Sequence, residues 1–225
     1  MSRAVLFDLD GTVADSIELI LSSARHAFIG FAGKAPNDEE WRAGIGRPLM
    51  SVLREWAGGD EDETQRLFTR YREFQLEHHD GLLRPYPGML EALRELSAEG
   101  FQMGIVTSKS DWLAQRAVDF LGMTDLFPVL VGCDTCVNHK PHPEPVERAL
   151  AILGTPPASA VYVGDSPHDI QSGVAAGVGT IGVTWGAFGR EPLQASGADL
   201  VIDSVPELPA AVQRIFASHK RLQTF

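Results

Sequence analysis

Short apolar runs alternate with helix-like segments along most of the chain, and this alternation restricts the fold more than any other feature of the sequence. The runs end in small or polar residues and lie at residues 4–9, 102–107, 128–132, 160–165 and 180–184, with a further candidate at 200–202. Between several of them, apolar residues recur at helical spacing and stop before a glycine, as at Gly100, Gly122 and Gly154; glycine is the usual residue at a helix end. Short apolar runs of this kind are typical of buried parallel strands. The pattern therefore predicts an α/β fold, with a Rossmann-like parallel sheet and helices on both faces.

The segment from residue 17 to residue 84 interrupts the alternation. Its amphipathic stretches lie at residues 17–31, 48–56 and 63–78, and none of the segment resembles a strand. We therefore predict an all-helical cap domain inserted after the first strand. The predicted boundaries give a catalytic core of residues 1–16 and 85–225 and a cap of residues 17–84. Asp15 and Glu18 have the spacing of a capping box, which predicts where the first cap helix begins.

The charge balance argues against several classes of protein. The chain has 19 basic and 30 acidic side chains, a formal net charge of −11, so a nucleic-acid backbone would meet like charge. No apolar run is long enough to span a membrane, and the N-terminus lacks the pattern of a signal peptide. Two cysteines are too few for a disulfide framework. We therefore expect a cytoplasmic protein, monomeric or homodimeric, that binds neither nucleic acid nor membrane.

Polar residues follow four of the predicted strands at the point where each strand ends. They are Asp8 and Asp10 after the first, Thr107 and Ser108 after the second, Lys140 after the third, and Asp165 and Asp169 after the fourth. The carboxyl ends of parallel strands meet at one edge of the sheet, so these side chains should lie together. Clustered carboxylates repel one another and need a cation, and their hard oxygen atoms suit Mg²⁺. The set predicts a magnesium site that receives a phosphorylated substrate.

The same residues can also perform the chemistry. A carboxylate in line with phosphorus can attack it and form an aspartyl-phosphate, which water then hydrolyses. A second acid two residues away can protonate the leaving oxygen and later deprotonate the water. Thr107, Lys140 and the backbone N–H groups near Ser108 can hold the remaining phosphoryl oxygens.

Four ordered segments of the sequence resemble the motifs of the haloacid dehalogenase-like (HAD) hydrolases. They are Asp8-Leu9-Asp10-Gly11-Thr12, Ile105-Val106-Thr107-Ser108-Lys109, His139-Lys140-Pro141 and Val163-Gly164-Asp165-Ser166-Pro167-His168-Asp169. The resemblance extends over the core from residue 4 to about residue 186, and the helical insertion is similar to the cap domain of that family.

The resemblance implies a role for each motif residue. Asp8 is the implied nucleophile and Asp10 the implied general acid/base. The implied Mg²⁺ ligands are Asp8, the backbone carbonyl of Asp10, and Asp165, with Asp169 acting directly or through water. Thr107, Ser108 and Lys140 are the implied phosphate-binding residues.

Asp10 separates the branches of this family. Family dehalogenases lack an acid at this position, so its presence here implies phosphoryl chemistry. The residues in and around the motifs resemble those of the phosphoglycolate phosphatase branch, which implies a phosphatase acting on a small phosphorylated metabolite. A pyrophosphatase, a nucleotidase and a phosphomutase of the β-phosphoglucomutase type stay open. A binding protein switched by phosphorylation of an aspartate is disfavoured, because receiver-like domains lack Asp10 and the cap.

Two further groups of residues allow a functional interpretation. Arg47, in a cap loop that resembles the substrate-facing loop of related caps, is predicted to reach a second anionic group of the substrate. Cys133, Cys136, His139 and His142 are spaced by three residues, which superficially resembles a zinc site. Because Lys140 belongs to the same short loop and should point into the phosphate site, we interpret the cysteines as ordinary thiols near a loop.

Overall fold

A central parallel sheet organises the fold of this computed structural model, which describes residues 2–222. The strands are β1 (Ala4–Phe7), β2 (Ala14–Asp15), β3 (Arg84–Pro85), β4 (Gln102–Val106), β5 (Val129–Val131), β6 (Ala160–Gly164), β7 (Gly179–Val183) and β8 (Leu200–Ile202). Six of them form the sheet in the order β5-β4-β1-β6-β7-β8, and all their pairings are parallel. The order places β1 centrally, between β4 and β6, so the first motif lies between the second and the fourth.

Helices follow most strands and form the cap. They are α1 (Ile17–Ala27), α2 (Asp38–Arg42), α3 (Leu49–Trp56), α4 (Glu61–Leu82), α5 (Met89–Ala98), α6 (Asp111–Phe120), α7 (Glu144–Leu153), α8 (Pro167–Ala176), α9 (Arg190–Ala195) and α10 (Leu208–Leu222). The predicted α/β architecture with an all-helical insertion after the first strand is confirmed. No helix within residues 2–222 has the length and apolar character that a membrane crossing requires.

The side chains of β1 lie alternately on the two faces of the sheet. Val5 and Phe7 belong to an apolar cluster with residues of α5, α6 and α10, while Ala4 and Leu6 belong to a second cluster with residues of α7 and α8. All four side chains are fully buried. Because both faces are covered, the strand is apolar throughout, and its first polar residue, Asp8, marks where it leaves the core.

The helical insertion has an apolar cluster distinct from those of the sheet. Residues of α1, α2, α3 and α4, including Trp41, Leu53 and Leu67, form most of it, and Ala187 of the core joins it. The chain enters and leaves the insertion beside the short antiparallel pair β2–β3, where Asp15 lies opposite Arg84. This pair holds the two connections side by side at the predicted domain boundaries.

The start of the first cap helix differs from the prediction. The capping box of Asp15 and Glu18 is wrong: Asp15 lies in β2, and Ser16 occupies the cap position without a side-chain bond to the helix. The Ser16 hydroxyl instead donates to Asp10 Oδ1 at 2.7 Å. A helix that sequence patterning missed, α2, carries a genuine capping box between Asn37 and Glu40.

Candidate active site

The strand ends bring the predicted polar residues to one edge of the sheet. Asp8, Thr107, Lys140, Asp165 and Asp169 are all buried, and Asp10 is partly buried beside them. A cavity of about 350 Å³ lies at this edge. Core residues on its wall include Asp8, Asp10, Thr107 and Ser108, and residues of the cap line the opposite part. The edge predicted from sequence is therefore also the place where cap and core enclose a space.

Lys140 is the cation at the centre of the buried carboxylates. Its Nζ atom lies 2.9 Å from Asp8 Oδ1 and 2.5 Å from Asp169 Oδ1, and it donates to the Tyr162 hydroxyl at 3.2 Å. Burial by itself would lower the pKa of Lys140, but the charges of Asp169 and Asp8 outweigh burial and raise it. Lys140 is therefore a fixed positive charge beside the Asp8 carboxylate.

Asp8 keeps one oxygen atom for chemistry. Its Oδ1 accepts the bond from Lys140, whereas no side chain within residues 2–218 donates to Oδ2. Burial raises the pKa of the Asp8 carboxyl to about 7, against the opposing pull of Lys140 and with a further rise caused by Asp169. A desolvated carboxylate held at one oxygen is a suitable oriented nucleophile.

The Asp165 carboxylate is closely surrounded by backbone atoms. Its Oδ2 accepts the N–H of Ala187 at 2.6 Å and its Oδ1 accepts the Thr12 hydroxyl at 3.3 Å. A Cβ atom on Gly186 would run into this carboxylate and into the Gly11 carbonyl, so only glycine fits there. Burial, together with the charges of Asp169 and Asp8, raises the pKa of Asp165 well above its ordinary value.

Asp169 is held by the start of its own helix. The capping box of α8 has the Ser166 N–H and hydroxyl donating to Asp169 Oδ2, at 3.0 and 2.6 Å. Its Oδ1 is bound by Lys140 and lies 3.0 Å from the Tyr162 hydroxyl. Both oxygens are thus occupied by protein donors, which makes Asp169 a rigid anchor for Lys140.

The carboxylates have the composition of a metal site. Asp8, Asp165 and Asp169 each offer a carboxylate oxygen atom, and these three atoms lie within 4.8 Å of one another. One ammonium group faces these three buried carboxylates, so the cluster is short of positive charge. Such a set of hard oxygen donors fits a divalent cation of the Mg²⁺ type.

Asp10 points to the cavity between two partners. The Ser16 hydroxyl donates to its Oδ1, and Lys109 Nζ lies 2.8 Å from its Oδ2. Lys109 belongs to the second motif, next to Ser108, but sequence reasoning did not select it. Tyr162 was missed as well, because within the apolar run of β6 it is indistinguishable from a core residue.

The cap closes over this edge through the loop that contains Gly46. The Ser108 hydroxyl donates to the Gly46 carbonyl at 2.6 Å. Gly46 has a φ of +94° and lies against Ser166, where a Cβ atom would not fit without a shift. Ser108, predicted to bind phosphate, therefore directs its hydroxyl to the cap, which leaves its backbone as the group available to a phosphoryl oxygen.

The remaining candidates lie at the margin of the cavity. Arg47 lines the cavity from the cap and pairs with Glu55 at 2.8 Å. Cys133 and His139 also line it, while Cys136 is buried elsewhere in the apolar cluster beside α7. Burial raises the pKa of the Cys133 thiol to about 12, so the thiol stays protonated and unreactive at neutral pH.

Comparison with known proteins agrees with this geometry. The family model described as haloacid dehalogenase-like hydrolase matches residues 5–183. The chain belongs to this family. The recognition made from the four motifs is confirmed, and the chain is a hydrolase by family.

Relatives cover nearly the whole chain. Pyrophosphatase PpaX of Bacillus pumilus is 39% identical over 93% of this chain and 96% of its own length. The crystal structure of a predicted phosphoglycolate phosphatase from Haemophilus somnus is 25% identical, with a TM-score of 0.84, and covers 94% of this chain and 98% of the other. β-Phosphoglucomutase from Clostridium difficile, 21% identical with a TM-score of 0.83 over 97% of this chain and 99% of its own, shares the fold.

Proposed function

We propose that this hydrolase is a Mg²⁺-dependent phosphatase that forms an aspartyl-phosphate on Asp8. The observation that carries the proposal is the pairing of Asp8, held at one oxygen by Lys140, with a second carboxylate, Asp10, on the same loop. The first group suits attack on phosphorus and the second suits proton transfer to and from oxygen. A dehalogenase would not need Asp10.

The bond changes follow from the positions of these groups. Asp8 Oδ2 attacks phosphorus, and the bond from phosphorus to the leaving oxygen breaks while Asp10 gives that oxygen a proton. Asp10 then takes a proton from water as the water attacks phosphorus, which releases phosphate and restores Asp8. Lys140 and the Thr107 hydroxyl balance and orient the phosphoryl oxygens throughout.

Asp8, Asp165 and the backbone carbonyl of Asp10 are the proposed holders of Mg²⁺, and Asp169 supports them. When bound, the cation offsets the carboxylate charge and polarises the phosphoryl group. The proposal is supported by the charge imbalance of the buried cluster and by the raised pKa values of Asp8 and Asp165.

Inorganic pyrophosphate is the first substrate to consider. The relatives that support it are pyrophosphatases 36% and 39% identical over more than nine-tenths of the chain. Phosphoglycolate, which the residues in and around the motifs favour, is the second, supported by the structural neighbour named after that activity. Both are small phosphorylated compounds with a second anionic group.

A phosphate-release screen tests the proposed function. We expect release from at least one of pyrophosphate, phosphoglycolate, sugar phosphates and nucleoside monophosphates with Mg²⁺, and a loss of at least about 100-fold with EDTA. Full activity in EDTA would contradict the metal assignment. Conversion of one sugar phosphate isomer to another without phosphate release would instead support a mutase.

Mg²⁺ should also stabilise the fold in a pH-dependent way. The Asp8 pKa is raised from 3.8 to about 7 in the folded protein, so between these values the folded state binds a proton that the unfolded chain has lost. Without metal, stability should therefore fall as the pH rises through this window. Mg²⁺ at about 100 times its Kd adds about 2.7 kcal/mol, or roughly 5 to 10 °C in Tm, and we expect a larger shift at pH 7.5 than at pH 5.

Two variants make the thermal measurement specific. Asp165→Asn should lose most of the Mg²⁺-induced shift, because it removes a carboxylate of the cluster. Asp134→Asn should keep the shift, because Asp134 lines the cavity outside the cluster. A Tm that does not respond to Mg²⁺ at either pH would count against the metal site.

A further inference from the structure

Arg72 is a cation of the cavity wall that forms no salt bridge with the described part of the protein. It belongs to α4 and lines the cavity together with Asp8 and Asp10. No carboxylate within residues 2–222 lies within salt-bridge distance of it. By contrast, Arg47 and Lys109, which also line the cavity, pair with Glu55 and Asp10.

The surroundings of Arg72 fix its guanidinium group without neutralising it. Its Nη1 atom donates to Gln75 Oε1 at 2.5 Å, and its guanidinium carbon lies 5.1 Å from the centre of the Phe68 ring. Burial lowers the pKa of Arg72, against the smaller opposing effect of the Asp10 and Asp134 charges, neither of which forms an ion pair with it; loss of water is expected to shift a cation in this direction. A guanidinium group that is held in one orientation and partly shielded from water binds an oxyanion more strongly than a mobile, solvated one.

Gln75 adds a second donor next to the guanidinium. Its side chain is only 3% exposed, and its Oε1 atom is taken by Arg72. Its Nε2 atom has no acceptor among residues 2–222, although Gln75 lines the cavity. This N–H group belongs to a residue of the cavity wall, so it and Arg72 together offer donors to a ligand oxygen.

Other arginines of the same helix are used differently. Arg66 pairs with Glu63 outside the cavity, and Arg70 donates to the Ile29 carbonyl. Both of these arginines bind oxygen atoms of the protein. Arg72 differs from them because it lines the cavity and has no carboxylate or backbone carbonyl partner among the described residues.

We propose that Arg72 and Gln75 bind a second anionic group of the substrate, the one that is not transferred to Asp8. This inference rests on the proposed function, which places the transferred phosphoryl group at Asp8 and the leaving oxygen at Asp10. The leaving part of the substrate then extends from Asp10 toward the cap, where Arg72 lies. Arg72 is in this sense a specificity-determining residue for substrates with an anionic leaving part.

Binding of non-hydrolysable analogues tests the proposal without turnover. The probes are methylenediphosphonate, with a second phosphoryl-type group, 3-phosphonopropionate, with a carboxylate, and ethylphosphonate, with neither, each titrated by calorimetry in Mg²⁺. Arg72→Gln should weaken at least one of the first two by about 10- to 100-fold and change ethylphosphonate by less than about 2-fold. The analogue that loses more identifies the second anion as phosphoryl or carboxylate.

The matched control is Arg66→Gln, which removes a guanidinium of the same helix outside the cavity. It should leave all three affinities unchanged. Equal weakening of all three analogues by Arg72→Gln, or no weakening of any, would overturn the proposal. If Arg72→Gln shows the expected selective loss of affinity but the wild-type protein releases no phosphate from any substrate, the proposed function fails while the assignment of Arg72 as an anion-binding residue stands.

Discussion

Asp8→Asn is expected to lower kcat for phosphate release by at least about 10⁴-fold, because the amide oxygen is a poor nucleophile and no other carboxylate can replace it. Asp165 and Asp169 are both bound by protein donors, so neither can swing to attack phosphorus. The loss should appear in kcat with each accepted substrate. Steady-state kinetics with Mg²⁺ measures it.

The folding of this variant provides its control. Burial raises the pKa of Asp8, so the carboxylate is costly in the metal-free protein, and the neutral amide should not lower the free energy of unfolding at neutral pH. Asp134→Asn, a change of the same kind elsewhere on the cavity wall, should keep activity within about 3-fold. Turnover by Asp8→Asn at the wild-type rate would refute the covalent mechanism.

Rapid acid quench offers a direct view of the intermediate. During turnover, wild-type protein should carry one phosphoryl group on the peptide that contains Asp8, and the Asp8→Asn protein should carry none. A phosphoryl group on any other residue would reassign the nucleophile.

The strands of the core could be predicted to within about two residues because their physical signal is local. A parallel strand covered on both faces must be apolar throughout, so its polar end coincides with the edge of the sheet. The predicted run at residues 4–9 contains β1, and the run at residues 200–202 matches β8. For this reason the sequence alone places Asp8, Thr107 and Asp165 at one edge of the sheet.

The cap was less predictable because tertiary contacts decide its details. The helix predicted at residues 17–31 ends at Ala27 in the structure. The next residue, Phe28, packs edge-on against the rings of Trp41 and Trp56. The start of that helix depends on Asp10, since Ser16 gives its hydroxyl to Asp10 rather than to the helix. Helical spacing carries no information on either contact.

Residues that act through distant partners were also missed. The Tyr162 hydroxyl meets Lys140 only because the pleat of β6 turns this residue to the same face as Leu6. Arg72 lies in a polar stretch of α4 that, from its sequence, resembles a solvated helix. Both roles depend on how separate segments pack, which a motif does not encode.

Asp10→Asn is expected to separate the two halves of the reaction. Loss of a general acid/base costs about 10²- to 10⁴-fold in turnover, and hydrolysis of the aspartyl-phosphate needs the base with every substrate. Formation of the intermediate needs the acid only when the leaving oxygen is strongly basic. p-Nitrophenolate leaves without protonation, so the first step should survive with p-nitrophenyl phosphate.

Stopped-flow absorbance should therefore show a burst of about one p-nitrophenol per Asp10→Asn protein, followed by slow turnover. The asparagine keeps the acceptor for Ser16 and loses the ion pair with Lys109, so the contact that joins the loop to the start of α1 should remain. Asp15→Asn, at the exposed residue of β2, is the neighbouring control and should change turnover by less than about 2-fold. Loss of turnover without a burst would contradict the assignment, because it would make Asp10 necessary for attack by Asp8 rather than for the transfer of protons.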